Sequence, residues 1–164
     1  MAPESGLTHV NAAGEAHMVN VAAKEVTERS ATAYSFVSIS SEVIALLRTG
    51  SMPKGDALSV ARIAAISATK KTSDLIPLCH PIAIHGVDVD LTIEDSGVAI
   101  LVTVTTADRT GVEMEALTAA SVGALALIDM IKGRDRGARI ECVELREKKG
   151  GRSGHWVRES SERG

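Results

Sequence analysis

Between Glu115 and Lys132 the chain carries Ala116, Leu117, Ala119, Ala120, Val122, Ala124, Leu125, Ala126, Leu127, Ile128, Met130 and Ile131, which at 3.6 residues per turn occupy the whole circumference of a helix. A helix apolar on every side must be covered on every side. One sheet covers one flank, so a second copy of the chain is expected to cover the other. Thr118, Ser121 and Asp129 interrupt the run, which therefore does not read as a membrane span.

The remaining elements follow from periodicity and punctuation. Val26 to Ile39, rich in β-branched and small residues, reads as a first strand. Ser40 or Ser41 caps a short helix from Glu42 to Arg48, which Gly50 stops. Asp56 caps a second helix running to about Lys70. Val87, Val89, Leu91 and Ile93 alternate with polar residues as in a half-buried strand, Asp95-Ser96-Gly97 turns the chain, and Val98 to Thr106 returns antiparallel. Thr110-Gly-Val-Glu113 has the pattern of a capping box opening the long helix. Ala138 to Arg146 forms a last strand. This order predicts an α+β fold of the ferredoxin-like split βαβ type, an antiparallel sheet with helices packed on one face. Residues 1–17 read as a mobile arm, 18–154 as a single catalytic domain and 155–164 as a polar tail.

Composition narrows the function. With 164 residues, 45% apolar and 24% charged, the chain suits one globular domain with a real core. A net charge of −3 argues against broad capture of nucleic acid or anionic membrane. The basic stretch from Lys132 to Arg152 does not change this, because Tyr34 and Phe36 are the only sheet aromatics on which bases could stack. Cys79 and Cys142 lack Cys-x-x-Cys spacing, and the N-terminus shows no apolar run; a reduced, cytoplasmic protein is expected.

The segment Lys70-Lys-Thr-Ser-Asp-Leu-Ile-Pro-Leu-Cys-His-Pro81 concentrates chemistry. Pro77 and Pro81 hold Leu78, Cys79 and His80 in a stiff strap that presents an imidazole in one geometry. Glu115 interrupts an apolar surface in the first turn of the long helix, and Asp129 opposes the dipole at its other end, with Lys132 three positions on as a partner. Structural explanations compete: Glu113 as a capping residue, Asp129–Lys132 as a buried ion pair, Cys79 as a small hydrophobe, Lys54 as a solvated loop lysine. Fourteen positions separate Glu115 from Asp129 by roughly 21 Å, too far for one small ligand to bridge within a chain. Two such helices packed antiparallel across a twofold axis would bring opposite ends together into a shared site. Cys79-His80 is one adjacent pair and falls short of a zinc site, and no Walker pattern occurs near Lys148-Lys149-Gly-Gly.

Five motifs then stand in a telling order: Leu-Thr-His9-Val-Asn-Ala-Ala-Gly-Glu-Ala-His17-Met-Val, Lys54-Gly-Asp56, Thr72-Ser-Asp74-Leu-Ile-Pro-Leu-Cys79-His80-Pro, Thr110-Gly-Val-Glu113-Met114-Glu115-Ala-Leu-Thr and Asp129-Met-Ile-Lys132. In these the chain resembles the molybdenum cofactor biosynthesis protein C family from about Leu7 to Gly154. The resemblance implies a ferredoxin-like lyase that converts cyclised dihydro-GTP to cyclic pyranopterin monophosphate with loss of pyrophosphate. It implies a homohexamer, a trimer of dimers, with sites at the dimer interface. It also implies substrate contacts from Leu78, Cys79, His80, Glu113, Met114, Glu115 and Lys148, with Asp129, Lys132, Lys54 and His80 as the catalytic set. No cofactor and no metal is expected; Lys54, Lys148 and Arg29 or Lys71 would neutralise the triphosphate. Asn20 stands where the family usually has Asp, and Ile131 where Cys is common. A second reading keeps the fold and makes the cluster a non-catalytic nucleotide- or pterin-binding regulatory module.

Overall fold

The structure, a computed structural model, describes residues 9–11 and 13–159. A first strand β1 (Thr27–Ser38) leads to helices α1 (Ser41–Thr49), α2 (Ala57–Thr69) and the single turn α3 (Thr72–Leu75). The hairpin β2 (Gly86–Ile93) and β3 (Gly97–Asp108) follows, then the long helix α4 (Glu113–Ile131), β4 (Arg139–Lys149) and the short β5 (Trp156–Val157). The sheet order is β2-β3-β1-β4-β5, with every neighbouring pair antiparallel. This is the expected α+β architecture. Trp156 and Val157, placed in the tail by sequence, pair with Lys148 and Glu147.

Side-chain alternation decides which face of the sheet meets the helices. In β1, Ala31, Ala33, Ser35 and Val37 are buried, while Thr32, Tyr34 and Phe36 on the other face are half-buried. The small inward residues let α4 approach closely, and Ser35 Oγ donates to the Ala120 carbonyl at 2.9 Å. α2 packs beside α4 through Ala61 and Ala65. A Cβ on Gly123 would come within 3.2 Å of the Ala65 Cβ, so this contact is set by the absence of a side chain.

Helix ends follow local chemistry with one correction. Asp56 caps α2 by accepting from the Ser59 N–H at 3.0 Å, and Gly50 closes α1 at φ 66. The capping box at Thr110 does not form. Val112, fully buried, is the residue at the N-cap of α4 and makes no side-chain cap, so Glu113 is the first helical residue. Burial of Val112 against the core fixes the start, and the hydroxyl three positions before Glu113 is left outside it. α4 is long and apolar enough to cross a membrane, yet 56% of that stretch is buried against the sheet and its neighbours. Within one chain its coverage is incomplete: Leu125 is 57% and Met114 37% exposed, with Leu117, Ser121 and Ile128 half-buried along the same stripe.

Candidate functional site

Two clusters form, one at each end of α4. At its start, Leu78, Cys79, His80, Glu113, Met114 and Glu115 line a cavity of about 490 Å³, within the usual size of small-molecule sites. The strap brings the first three there. The backbone turns at Pro77, and the Cys79 N–H donates to the Ile76 carbonyl at 3.1 Å. Apolar walls come from Val19, Val21 and Ile76.

Electrostatics differ sharply among these groups. Glu115 is 4% exposed, and its burial, with the charge of Glu113 adding to it, pushes its carboxyl up to about 7. Such a group exchanges a proton near neutrality. Burial, and then the neighbouring Glu115, raise the Cys79 thiol, which makes it a poor nucleophile. His80 Nε2 donates to the Val19 carbonyl at 2.7 Å; a carbonyl only accepts, so in the neutral ring Nδ1 carries the lone pair. Glu113 folds back, so that a Cβ on Gly111 would overlap its carboxylate.

At the other end of α4, Asp129 Oδ1 stands 2.7 Å from Lys132 Nζ and its Oδ2 3.8 Å from Lys54 Nζ. Lys54 Nζ also donates to the Asp129 carbonyl at 3.0 Å, across 75 positions of sequence. The Asp129 side chain is 59% exposed, so within one chain its pair with Lys132 is not the buried ion pair that competes as a structural explanation. Lys132, and then Lys54, hold its carboxyl below the usual carboxylate range. At the α2 N-terminus near Lys54, Asp56 accepts the Ser59 N–H, so that backbone donor is already satisfied.

Lys148 belongs to neither cluster. It lies in β4 opposite Ala31, where sequence composition reads as flexible loop, and its Nζ donates to Ser153 Oγ and to the Gly150 carbonyl at 3.5 Å. Gly150 and Gly151, at φ 93 and 72, fold over Arg29, and Cβ atoms there would strike the Glu28 carbonyl and the Arg29 side chain. Arg29, Arg152 and Lys24 line a second cavity of about 400 Å³, which shares Lys24 with the first. Among the described residues no three His, Cys, Asp or Glu side chains converge as metal ligands. Spacing gave no signal for Lys24. His9, which also lines the first cavity, was visible only as part of a motif.

Comparison with known proteins adds an independent finding. The model of the MoaC family matches residues 18–151. A cyclic pyranopterin monophosphate synthase of Streptomyces avermitilis is 57% identical over 152 residues, covering 93% of this chain and 89% of the relative. One from a Nocardioides species is 54% identical over 155 residues, covering 93% and 95%. Cyclic pyranopterin monophosphate synthase 2 of Mycobacterium tuberculosis is 53% identical over 152 residues, covering 93% and 91%.

Proposed function

The chain belongs to the MoaC family, and from that premise we propose how its two half-sites make one catalytic centre. It is an enzyme of molybdenum cofactor biosynthesis that forms cyclic pyranopterin monophosphate, acting on a nucleotide-derived substrate. That substrate is cyclised dihydro-GTP, and pyrophosphate leaves as the remaining phosphate cyclises.

One observation supports the assembly: each end of α4 carries a cluster of functional groups, and a partly exposed apolar stripe runs between them. Within one chain Met114 and Leu125 are exposed, and Leu117 and Ile128 are only half-buried. When two α4 helices pack antiparallel about a twofold axis, this stripe is buried at about 25 cal/mol per Å² and the ends exchange neighbours. His80, Glu113 and Glu115 of one copy then meet Lys54, Asp129 and Lys132 of the other. The dimers assemble as a trimer, a cytoplasmic homohexamer.

The residue types fit the chemistry. Val19, Val21, Leu78 and Met114 enclose a flat ring system. Rearranging a purine-derived ring into a pterin moves protons at several atoms, each transfer typically assisted about 10² to 10⁴-fold by a positioned acid or base. Glu115, still protonated near neutrality, donates; ionised Asp129 and His80 Nδ1 accept. Lys54, Lys132 and Lys148 neutralise the phosphates and the charge that grows on departing pyrophosphate. Arg29 and Lys24 extend that positive lining.

Incubation with cyclised dihydro-GTP, followed by oxidation and pterin fluorescence, tests the reading. Product with one equivalent of pyrophosphate is expected. A folded preparation that yields neither contradicts it.

A further inference from the structure

The chain between His9 and Lys24 contributes His9, Val19, Val21 and Lys24 to the wall of the first cavity, and its described residues are held there lightly. Its own turn is well made: Asn11 Oδ1 accepts the N–H groups of Ala13 and Glu15 at 2.9 and 3.0 Å, and the His17 N–H donates to the His9 carbonyl at 3.0 Å. Asn20 Oδ1 accepts from the Ala22 N–H at 2.9 Å, shaping the next bend. Its tie to the rest of the fold is of another kind. Among the described residues, no backbone-to-backbone hydrogen bond joins the segment to the body. Two side chains reach across instead: His80 Nε2 to the Val19 carbonyl at 2.7 Å, and Arg109 Nε to the Lys24 carbonyl at 3.0 Å. Among the described residues of the segment only Val19 and Val21 are even half-buried, and both line the cavity. A stretch with so few buried contacts opens at low cost.

We infer that the described residues 9–11 and 13–24 act as a latch that opens to admit the substrate, closes on His80 and Arg109, and carries His9 into the cavity as a second substrate-contacting imidazole. The inference rests on the function proposed above. Both imidazoles line the same cavity, and closure excludes water from a reaction that moves several protons. His80 thereby has a positioning role through Nε2 in addition to what Nδ1 does toward the substrate.

Hydrogen–deuterium exchange of the full chain, with and without saturating cyclised dihydro-GTP, tests it together with turnover by the same preparation. Amides from Val19 to Lys24 should slow at least ~10-fold with substrate. Arg109→Ala, an exposed change that removes no side chain lining the first cavity, should speed their exchange ~10-fold in the free enzyme and raise KM ~10-fold with kcat little altered. His9→Ala should leave exchange unchanged and lower kcat ~10-fold or more, with partial rescue by His9→Gln. Turnover with unchanged exchange at Val19 to Lys24, or an Arg109→Ala enzyme with ordinary KM, overturns the latch alone. An ordinary kcat for His9→Ala overturns the role of His9. Absence of turnover by the unmodified protein overturns the function and the latch together.

Discussion

Glu115 and Asp129 occupy opposite ends of α4, fourteen positions and therefore roughly 21 Å of helix axis apart. Glu115 is buried beside His80 and Cys79; Asp129 is exposed between Lys132 and Lys54. In the dimer proposed above, the apolar stripe between these two clusters meets a second copy of itself.

Asp129 lies within ion-pair distance of two ammonium groups, and in the shared site proposed above it is the proton acceptor. Asp129→Ala should lower kcat about 10³-fold while substrate affinity stays within a few-fold, because binding energy comes from the cavity and the cations. Single-turnover kinetics with equilibrium binding of cyclised dihydro-GTP separates the two. A proportional loss of affinity would make Asp129 a binding residue.

Glu115 gives stability a particular pH dependence. Its carboxyl is raised from 4.5 to about 7 in the folded chain, so between those values the native state holds a proton that the unfolded state has released. Stability from this group is therefore greatest at low pH, falls as pH rises from about 4.5, and levels off above 7. The whole change is at most of the order of 3 kcal/mol. Denaturant unfolding at pH 5 and pH 8 should show the fall, and Glu115→Gln should flatten it. Activity that depends on the Glu115 proton should likewise decline above about pH 7.

Leu125 is 57% exposed in one chain and lines neither cavity described above. Leu125→Glu should leave the monomer fold intact, shift the protein to monomers in analytical ultracentrifugation and cut activity about 100-fold, since an unpaired carboxylate cannot be buried at an apolar interface. An active monomer would show that one chain suffices.

Gly123 lets α2 and α4 touch. Gly123→Val should cost about 2 kcal/mol through overpacking against Ala65, whereas Gly133→Ala, with open space around its Cα, should be near neutral. Thermal unfolding of the two variants against the parent checks this.

How much could be read beforehand depended on whether the determining contacts were local. Alternation fixed β2 and β3, and the caps at Asp56 and Gly50 stand as their side chains and φ values require. Thr110 misled because a capping pattern carries no information about Val112, whose burial decides where α4 begins. Lys148 and Lys149 look like loop in composition, yet pairing with Ala31 and Ser30 makes them strand. Asp129 with Lys132 was legible from three-residue spacing. Lys54 beside them was not, because only the packing of the α2 loop on the end of α4 brings it there. His9 and Lys24 came into the site by the same kind of long-range closure.

Mixing two inactive variants tests the shared site most directly. His80→Ala disables one end of α4 and Asp129→Ala the other, so a mixed dimer contains one site with both lesions and one with neither. After subunit exchange, random pairing should restore about one quarter of the parent activity. Activity that stays at the sum of the two separate variants would show that His80 and Asp129 serve the same site from the same chain, and that α4 does not link two halves of different sites.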